Sequence, residues 1–201
     1  MKLTYKGKYT HEDQLSKGIL PPNAVKFREP ETPFKLNLVA LLFTLPALLL
    51  IRLFVLTSSL LHGSDLYRGS SHTLLGFALA YLTLLPHELL HAVCFGKSAE
   101  VEMYIIPRQF MMFVHCTQPI SKARFIFLSL FPNLVFGWFP LTVWMLLPHV
   151  TIYSDILFGF SMMSIFFGVG DYLNVYNAFR QMPKGSMQQL SGFHSYWFMS
   201  E

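Results

Sequence analysis

The chain has 201 residues, 53% of them hydrophobic and only 13% charged, with 20 phenylalanines and 10 methionines. Soluble domains carry about 25% charged residues. Half that fraction, with a mean hydropathy of +0.42, argues against a water-soluble domain and for one small bundle of membrane helices. Disordered and collagen-like chains are excluded by the same figures, and two cysteines, Cys94 and Cys116, make no disulfide framework. The net charge of +4 comes without a stripe of basic residues interleaved with aromatics, so no nucleic-acid partner is expected.

Residues 1–34 are mixed polar, with no apolar core followed by a cleavage site. They read as a cytoplasmic N-terminal arm. Four stretches long and apolar enough to span follow, at residues 36–61, 73–95, 125–147 and 152–179. Together they make a membrane core over 35–179, and residues 180–201 form a cytoplasmic or interfacial tail. Polar turns lie at 62–71 and 148–151.

The basic residues set an orientation. Lys2, Lys6, Lys8, Lys17, Lys26, Arg28 and Lys35 precede the first span. Lys97, Arg108, Lys122 and Arg124 follow the second, and Arg180 and Lys184 follow the fourth. The opposite side has Arg68, with Arg52 placed to snorkel outward. The expectation is a multi-pass protein of the cell membrane with both termini and the long middle loop cytoplasmic.

That middle loop holds two β-prone runs, Val101-Glu-Met-Tyr-Ile-Ile106 and Phe110-Met-Met-Phe-Val-His-Cys116, joined by Pro107-Arg108-Gln109. Contact with lipid or an apolar ligand and a loop merely resting on the membrane are both open readings of this hairpin. The fold expected is an all-α membrane protein of four transmembrane helices, with a β-hairpin-like cytoplasmic or interfacial loop between helices 2 and 3.

Few ionisable groups lie inside the spans: His87, Glu88 and His91 in the second, Asp171 in the fourth, and Asp155 near the outer end of the fourth. A mid-helix carboxylate costs about 2.5–3.5 kcal/mol on insertion scales, so these groups need a compensating partner, and a metal cation is one. His87-Glu88-Leu89-Leu90-His91 is an H-E-x-x-H whose histidines share a helical face and can reach one Zn²⁺. Glu88 stands beside them, able to take a proton from a metal-bound water.

A third ligand is required, and Asp171 is the best candidate. The histidine motif and Asp171 each lie on the order of 10 Å from the cytoplasmic end of their spans. Gly168-Val-Gly170 just before Asp171 would let that helix loosen, and Asn174 follows on the same face. Cys94 shares the face of His91 as an alternative ligand, or serves as a small packing residue. Glu100 and Glu102 are too near in sequence to fold back, and His115 enters only if the hairpin tucks beneath the site. His11, His62, His72, His149 and His194 are expected to be solvated or interfacial. Pro86 is expected to bend the second span, Gly159, Ser161 and Ser164 to mark close helix packing, and the aromatic tail at 194–198 to anchor at the interface.

These residues resemble the site-2 protease class of intramembrane metalloproteases. More closely, the arrangement is similar to a compact family described as "putative zincin peptidase". The likeness covers roughly residues 72–179: the motif in the second span, the β-prone loop, Phe131-Pro132-Asn133-Leu134 in the third span and Gly170-Asp171-Tyr172-Leu173-Asn174 in the fourth. Val169-Gly-Asp-Tyr172 stands where the site-2 class has Asn-Pro-Asp-Gly. The resemblance implies zinc held by His87, His91 and Asp171, water activated by Glu88, and a supporting role for Asn133 at the site; as a catalytic residue Asn133, or a backbone N–H in its place, is expected to stabilise the oxyanion. The substrate it implies is a membrane protein or membrane-associated peptide, with the 101–116 hairpin offering an edge for strand addition.

The function expected is a zinc-dependent intramembrane metalloprotease that hydrolyses a peptide bond in or near a membrane segment of its substrate. The rival readings are a metal transporter of the ZIP type, a non-enzymatic membrane protein with a structural metal, and a chance motif of hydrogen-bonded histidines. Four spans leave little room for alternating access.

Overall fold

The computed structural model describes residues 1–107, 111–148 and 151–200. Helices α1 (Pro33–Leu41) and α2 (Thr44–His62) make up the first apolar stretch. Thr32 caps α1 by accepting a hydrogen bond from the Lys35 N–H, and Gly63, at φ +57°, ends α2 in the left-handed conformation glycine favours. The second stretch is α3 (His72–Ala80), a 3₁₀ turn at Tyr81–Thr83 and α4 (Leu84–Cys94). Pro86 has no N–H for the Leu82 carbonyl, and the helix tightens at that point.

The third stretch is α5 (Lys122–Asn133), a π-helical turn at Leu134–Trp138 and α6 (Phe139–Leu146). The fourth is α7 (Ile152–Phe167) followed by α8 (Val169–Gln181), bent by 48° at Gly168. Phe34–His62, His72–Cys94 and Lys122–Leu146 are each long and apolar enough to cross a membrane, and the bent pair is a fourth if taken as one span. Leu45, Leu49, Leu53 and Leu60 on α2 are 56–84% exposed, a surface that lipid tolerates and water does not. Helices α3 and α7 cross in close contact, where a Cβ on Gly76 would overlap the Ile156 carbonyl and one on Gly159 the Thr73 carbonyl.

The strands overturn the all-α expectation: the fold is mixed α/β, with two sheets among the described residues. The first has the order β1 (Lys2–Lys8), β3 (Glu100–Ile106), β4 (Met111–His115), with β1 parallel to β3 and β3 antiparallel to β4. The second is antiparallel and has the order β2 (Val25–Lys26), β7 (His194–Met199), β6 (Ser186–Ser191), β5 (Ile120–Ser121). The 101–116 hairpin is therefore β3 and β4, two strands of a larger sheet. Its expected turn at Arg108 and Gln109, with Phe110, lies outside the described residues, as does His149.

The N-terminal segment supplies β1 and β2, and the tail folds into the β6–β7 hairpin around a two-residue turn at Gly192–Phe193, with Gly192 at φ +59°. The reason these strands escape a hydropathy reading is physical. Strand β1 is almost wholly exposed and β2 has two residues, so neither shows an apolar face. Ladder hydrogen bonds to partners distant in sequence, such as Lys2 opposite Glu100, hold them in place.

Two apolar clusters complete the interior. One joins Phe27, Phe95, Val101, Phe125, Leu128 and Met182 where the helices meet the sheets, and the other joins Ile51, Leu141, Trp144, Phe158 and Ile165 within the bundle. Leu128 belongs to the first, while Trp138 and Tyr172 pack on the second. The groups that hold the site described next draw on both.

Candidate metal centre

On α4, His87 and His91 are one turn apart, 7% and 6% exposed, with ring centroids 4.8 Å from each other. Asp171, in the first turn of α8, faces both. Its Oδ2 lies 3.2 Å from His87 Nε2 and its Oδ1 3.3 Å from His91 Nε2. Glu88 is part of the same group, since ligand-capable atoms of His87, Glu88 and His91 all lie within 4.8 Å of one another.

The hydrogen bonds around this group decide its chemistry. His91 Nδ1 is 2.9 Å from the Leu128 carbonyl. A carbonyl can only accept, so Nδ1 carries the proton and Nε2 turns its lone pair toward the Asp171 carboxylate. In the neutral ring two sets of lone pairs then face each other, and a proton or a metal cation between them relieves the repulsion. Ligand atoms of a tetrahedral zinc with bonds of about 2.0–2.1 Å stand about 3.3 Å apart, close to the two nitrogen–oxygen separations here. Two imidazoles and a carboxylate are also a donor set that zinc takes. The residues present fit zinc, held by His87 and His91 with Asp171 or Glu88 beside them.

Pro132 makes the Leu128 carbonyl available. In a continuous α-helix that carbonyl would accept from the N–H of residue 132, and proline has none. Sequence reasoning missed Leu128 as part of the site. The signal was present, because a proline inside an apolar span always frees the carbonyl four residues before it.

Asn133 is fully buried and its Nδ2 donates to Asp171 Oδ2 at 2.8 Å. Its Oδ1 accepts from Tyr172 Oη at 3.2 Å, and Tyr172 Oη in turn accepts from Trp138 Nε1 at 3.0 Å. A Cβ at position 168 would overlap the Asn133 amide, so the bend that delivers Asp171 and the side chain that holds it need glycine at that place. On the other side of the motif, Glu88 Oε2 accepts from the Val114 N–H at 3.0 Å. That N–H points away from β3, so the outer edge of β4 lies against the site, with no further strand on it among the described residues.

The other candidates lie elsewhere. Cys94 is half-buried, and Cys116 packs in the apolar cluster near the sheets. His115 sends Nε2 to the Gly192 carbonyl at 3.0 Å, and burial pushes its pKa down. Asn174 lines a cavity beside β4. Glu100 pairs with Lys2 at 3.6 Å and Glu102 with Lys6 at 3.1 Å, and Glu102 also accepts from Ser16 and Tyr104. Asp155 accepts from Tyr67 and Ser70, each at 2.5 Å, near the start of α7. His62 faces the Met145 carbonyl, His72 lies 4.0 Å from Asp155, and His194 lies 3.7 Å from Glu29.

Comparison with known proteins agrees with this chemistry. No curated protein and no solved structure matches the chain. Residues 80–187, more than half of the chain and the part that carries His87, Glu88, His91, Asn133 and Asp171, match the model of the family described as "Putative zincin peptidase", and the chain belongs to that zincin-like peptidase family.

Proposed function

We propose that the protein is a zinc-dependent intramembrane metalloprotease, akin to the site-2 class, that hydrolyses a peptide bond in or near a membrane segment of its substrate. The observation that carries this reading is the meeting of His87 Nε2, His91 Nε2 and the Asp171 carboxylate on spans otherwise nearly free of charge, with Glu88 beside them. The proposal includes a multi-pass location with both termini cytoplasmic, as the basic residues argue.

Zinc, when bound, polarises the substrate carbonyl and acidifies a water molecule. Glu88 takes the proton as the water oxygen bonds to the carbonyl carbon, then delivers it to the amine nitrogen as the C–N bond breaks. The Val114 N–H holds Glu88 Oε2 and so fixes which way the carboxylate faces. Asn133 has its amide N–H on Asp171, which makes it a positioning residue. A helix hides its own carbonyls, so the substrate must be extended where it is cut, and the outer edge of β4 offers backbone groups to such a segment.

The test uses the full chain in detergent. Wild type and Glu88→Gln should each hold about one zinc per chain, and Asp171→Ala should hold much less. Glu88→Gln should lose cleavage of a membrane-protein substrate while keeping its zinc. Wild type free of metal after gentle purification would sink the metal site. Zinc retained, with uptake into vesicles and no cleavage, would make the protein a metal-binding membrane protein or transporter instead.

A further inference from the structure

A cavity of about 260 Å³ lies beside β4. Ile106, Phe113, Leu190 and Phe193 are among its apolar walls, and Leu36 and Asn37 of α1 close it where the first apolar span begins. Val114, whose N–H holds Glu88, and Asn174, one turn beyond Asp171, also line it. The cavity therefore adjoins the metal centre.

Glu29 brings a carboxylate into this apolar lining, with its side chain only 8% exposed. Oε1 accepts the Ser195 N–H at 2.9 Å, and Oε2 has no hydrogen-bond partner among the described residues. His194 lies 3.7 Å from Oε1, and burial with the Lys26 charge lowers its pKa, which disfavours the charged ring beside Glu29. Burial likewise disfavours the charged form of His115, which lines the cavity. Burial raises the Glu29 carboxyl to about 7 against the lowering effects of the Ser195 N–H and the Lys26 charge, so the carboxylate loses more by leaving water than these neighbours return. A hydroxyl or amide would hold the Ser195 N–H without that cost, so the carboxylate asks for a positive ligand.

We propose that this cavity is a specificity subsite in which Glu29 binds a lysine or arginine side chain of an extended substrate segment lying along β4. The inference rests on the protease reading and names the substrate class. A membrane segment of the substrate would leave the bilayer near α1, and cytoplasmic flanks of such segments are rich in lysine and arginine. The apolar walls take the stem of that side chain and Glu29 takes its head.

The test measures binding apart from cleavage. Full-length Glu88→Gln in detergent at pH 8 is titrated with fluorescein-labelled peptides of leucine, valine and serine. Each peptide carries one lysine, moved along the chain from peptide to peptide, and each has a twin with norleucine in its place. The lysine peptide should bind roughly tenfold tighter than its twin at one position. Adding Glu29→Gln should bring that ratio close to one, and adding Glu29→Lys should turn the preference toward a glutamate peptide. Equal binding of the twins at every position, no binding of any peptide, or a ratio untouched by Glu29→Gln would each overturn the subsite. Lysine-dependent binding with no cleavage by wild type would uphold the subsite and remove the protease reading. Cleavage without lysine preference would do the reverse.

Discussion

Pro132 gives His91 its hydrogen-bond acceptor. The ring nitrogen of Pro132 leaves the Leu128 carbonyl without a helical donor, and His91 Nδ1 takes that carbonyl at 2.9 Å. A backbone feature of α5 thereby fixes the tautomer of a side chain on α4, and with it the lone pair that the neutral ring would offer a metal.

Pro132→Ala would restore an N–H that competes for the Leu128 carbonyl. His91 would lose part of its orienting bond while α5 became more regular. Partners of this kind are worth about 10–100-fold in metal affinity, and we expect a loss of that order in competition against a zinc chelator. Circular dichroism should show no loss of helix. Unchanged zinc affinity would mean that Leu128 does not orient His91.

Gly168 and Gly170 make a matched pair two residues apart. A Cβ at 168 would strike the Asn133 amide, while a Cβ at 170 meets nothing within 4 Å. The backbone at 168, φ −87° and ψ 14°, is open to alanine, so the contact alone decides the outcome. Gly168→Ala should cost about 1–3 kcal/mol of stability and weaken zinc binding by displacing Asn133 from Asp171. Gly170→Ala should leave zinc binding unchanged. Thermal unfolding and zinc content of the two variants, side by side, check this.

The contrast between site and sheets explains what a sequence can disclose. Lipid penalises ionisable groups, so His87, Glu88, His91 and Asp171 stand out in apolar spans, and counting along two helices puts them at one depth. The break at Gly168 was visible for a related reason, because glycines before a buried carboxylate invite a bend. Strands β1, β6 and β7 left no such mark, since polar residues in a ladder look like polar residues in a loop. Glu29 was hidden similarly: nothing in the mixed polar stretch 1–34 says that one carboxylate of four will be buried. Pro132 announced a free carbonyl at Leu128, but only the packing of α4 on α5 says which donor takes it.

Tyr172 orients the Asn133 amide. Its hydroxyl donates to Asn133 Oδ1 and accepts from Trp138 Nε1, which obliges Asn133 to turn Nδ2 toward Asp171. Tyr172→Phe leaves the Asn133 oxygen and the Trp138 N–H unpaired in an apolar interior, at a cost of about 1–3 kcal/mol. An amide freed to flip would present oxygen to the Asp171 carboxylate and repel it. We therefore expect lower stability together with weaker zinc binding in Tyr172→Phe. A loss of stability with zinc affinity intact would mean that the hydroxyl only fills space.

Glu29 gives stability a pH dependence of definite sign. Burial raises its carboxyl from 4.5 to about 7, against the lowering effects of the Ser195 N–H and Lys26. The folded chain then holds the proton more tightly than the unfolded chain. Its contribution is most favourable below pH 4.5, declines as pH rises toward 7, and stays at its least favourable value above that. Glu29→Gln keeps an oxygen for the Ser195 N–H and removes the titration. Relative to wild type the variant should gain about 2–3 kcal/mol at pH 8, shrinking to under about 1 kcal/mol near pH 5. Thermal unfolding of both proteins in detergent at the two pH values measures the gap. A gap that is the same at both pH values, or wider at pH 5, would mean that the buried carboxyl is compensated in the folded chain.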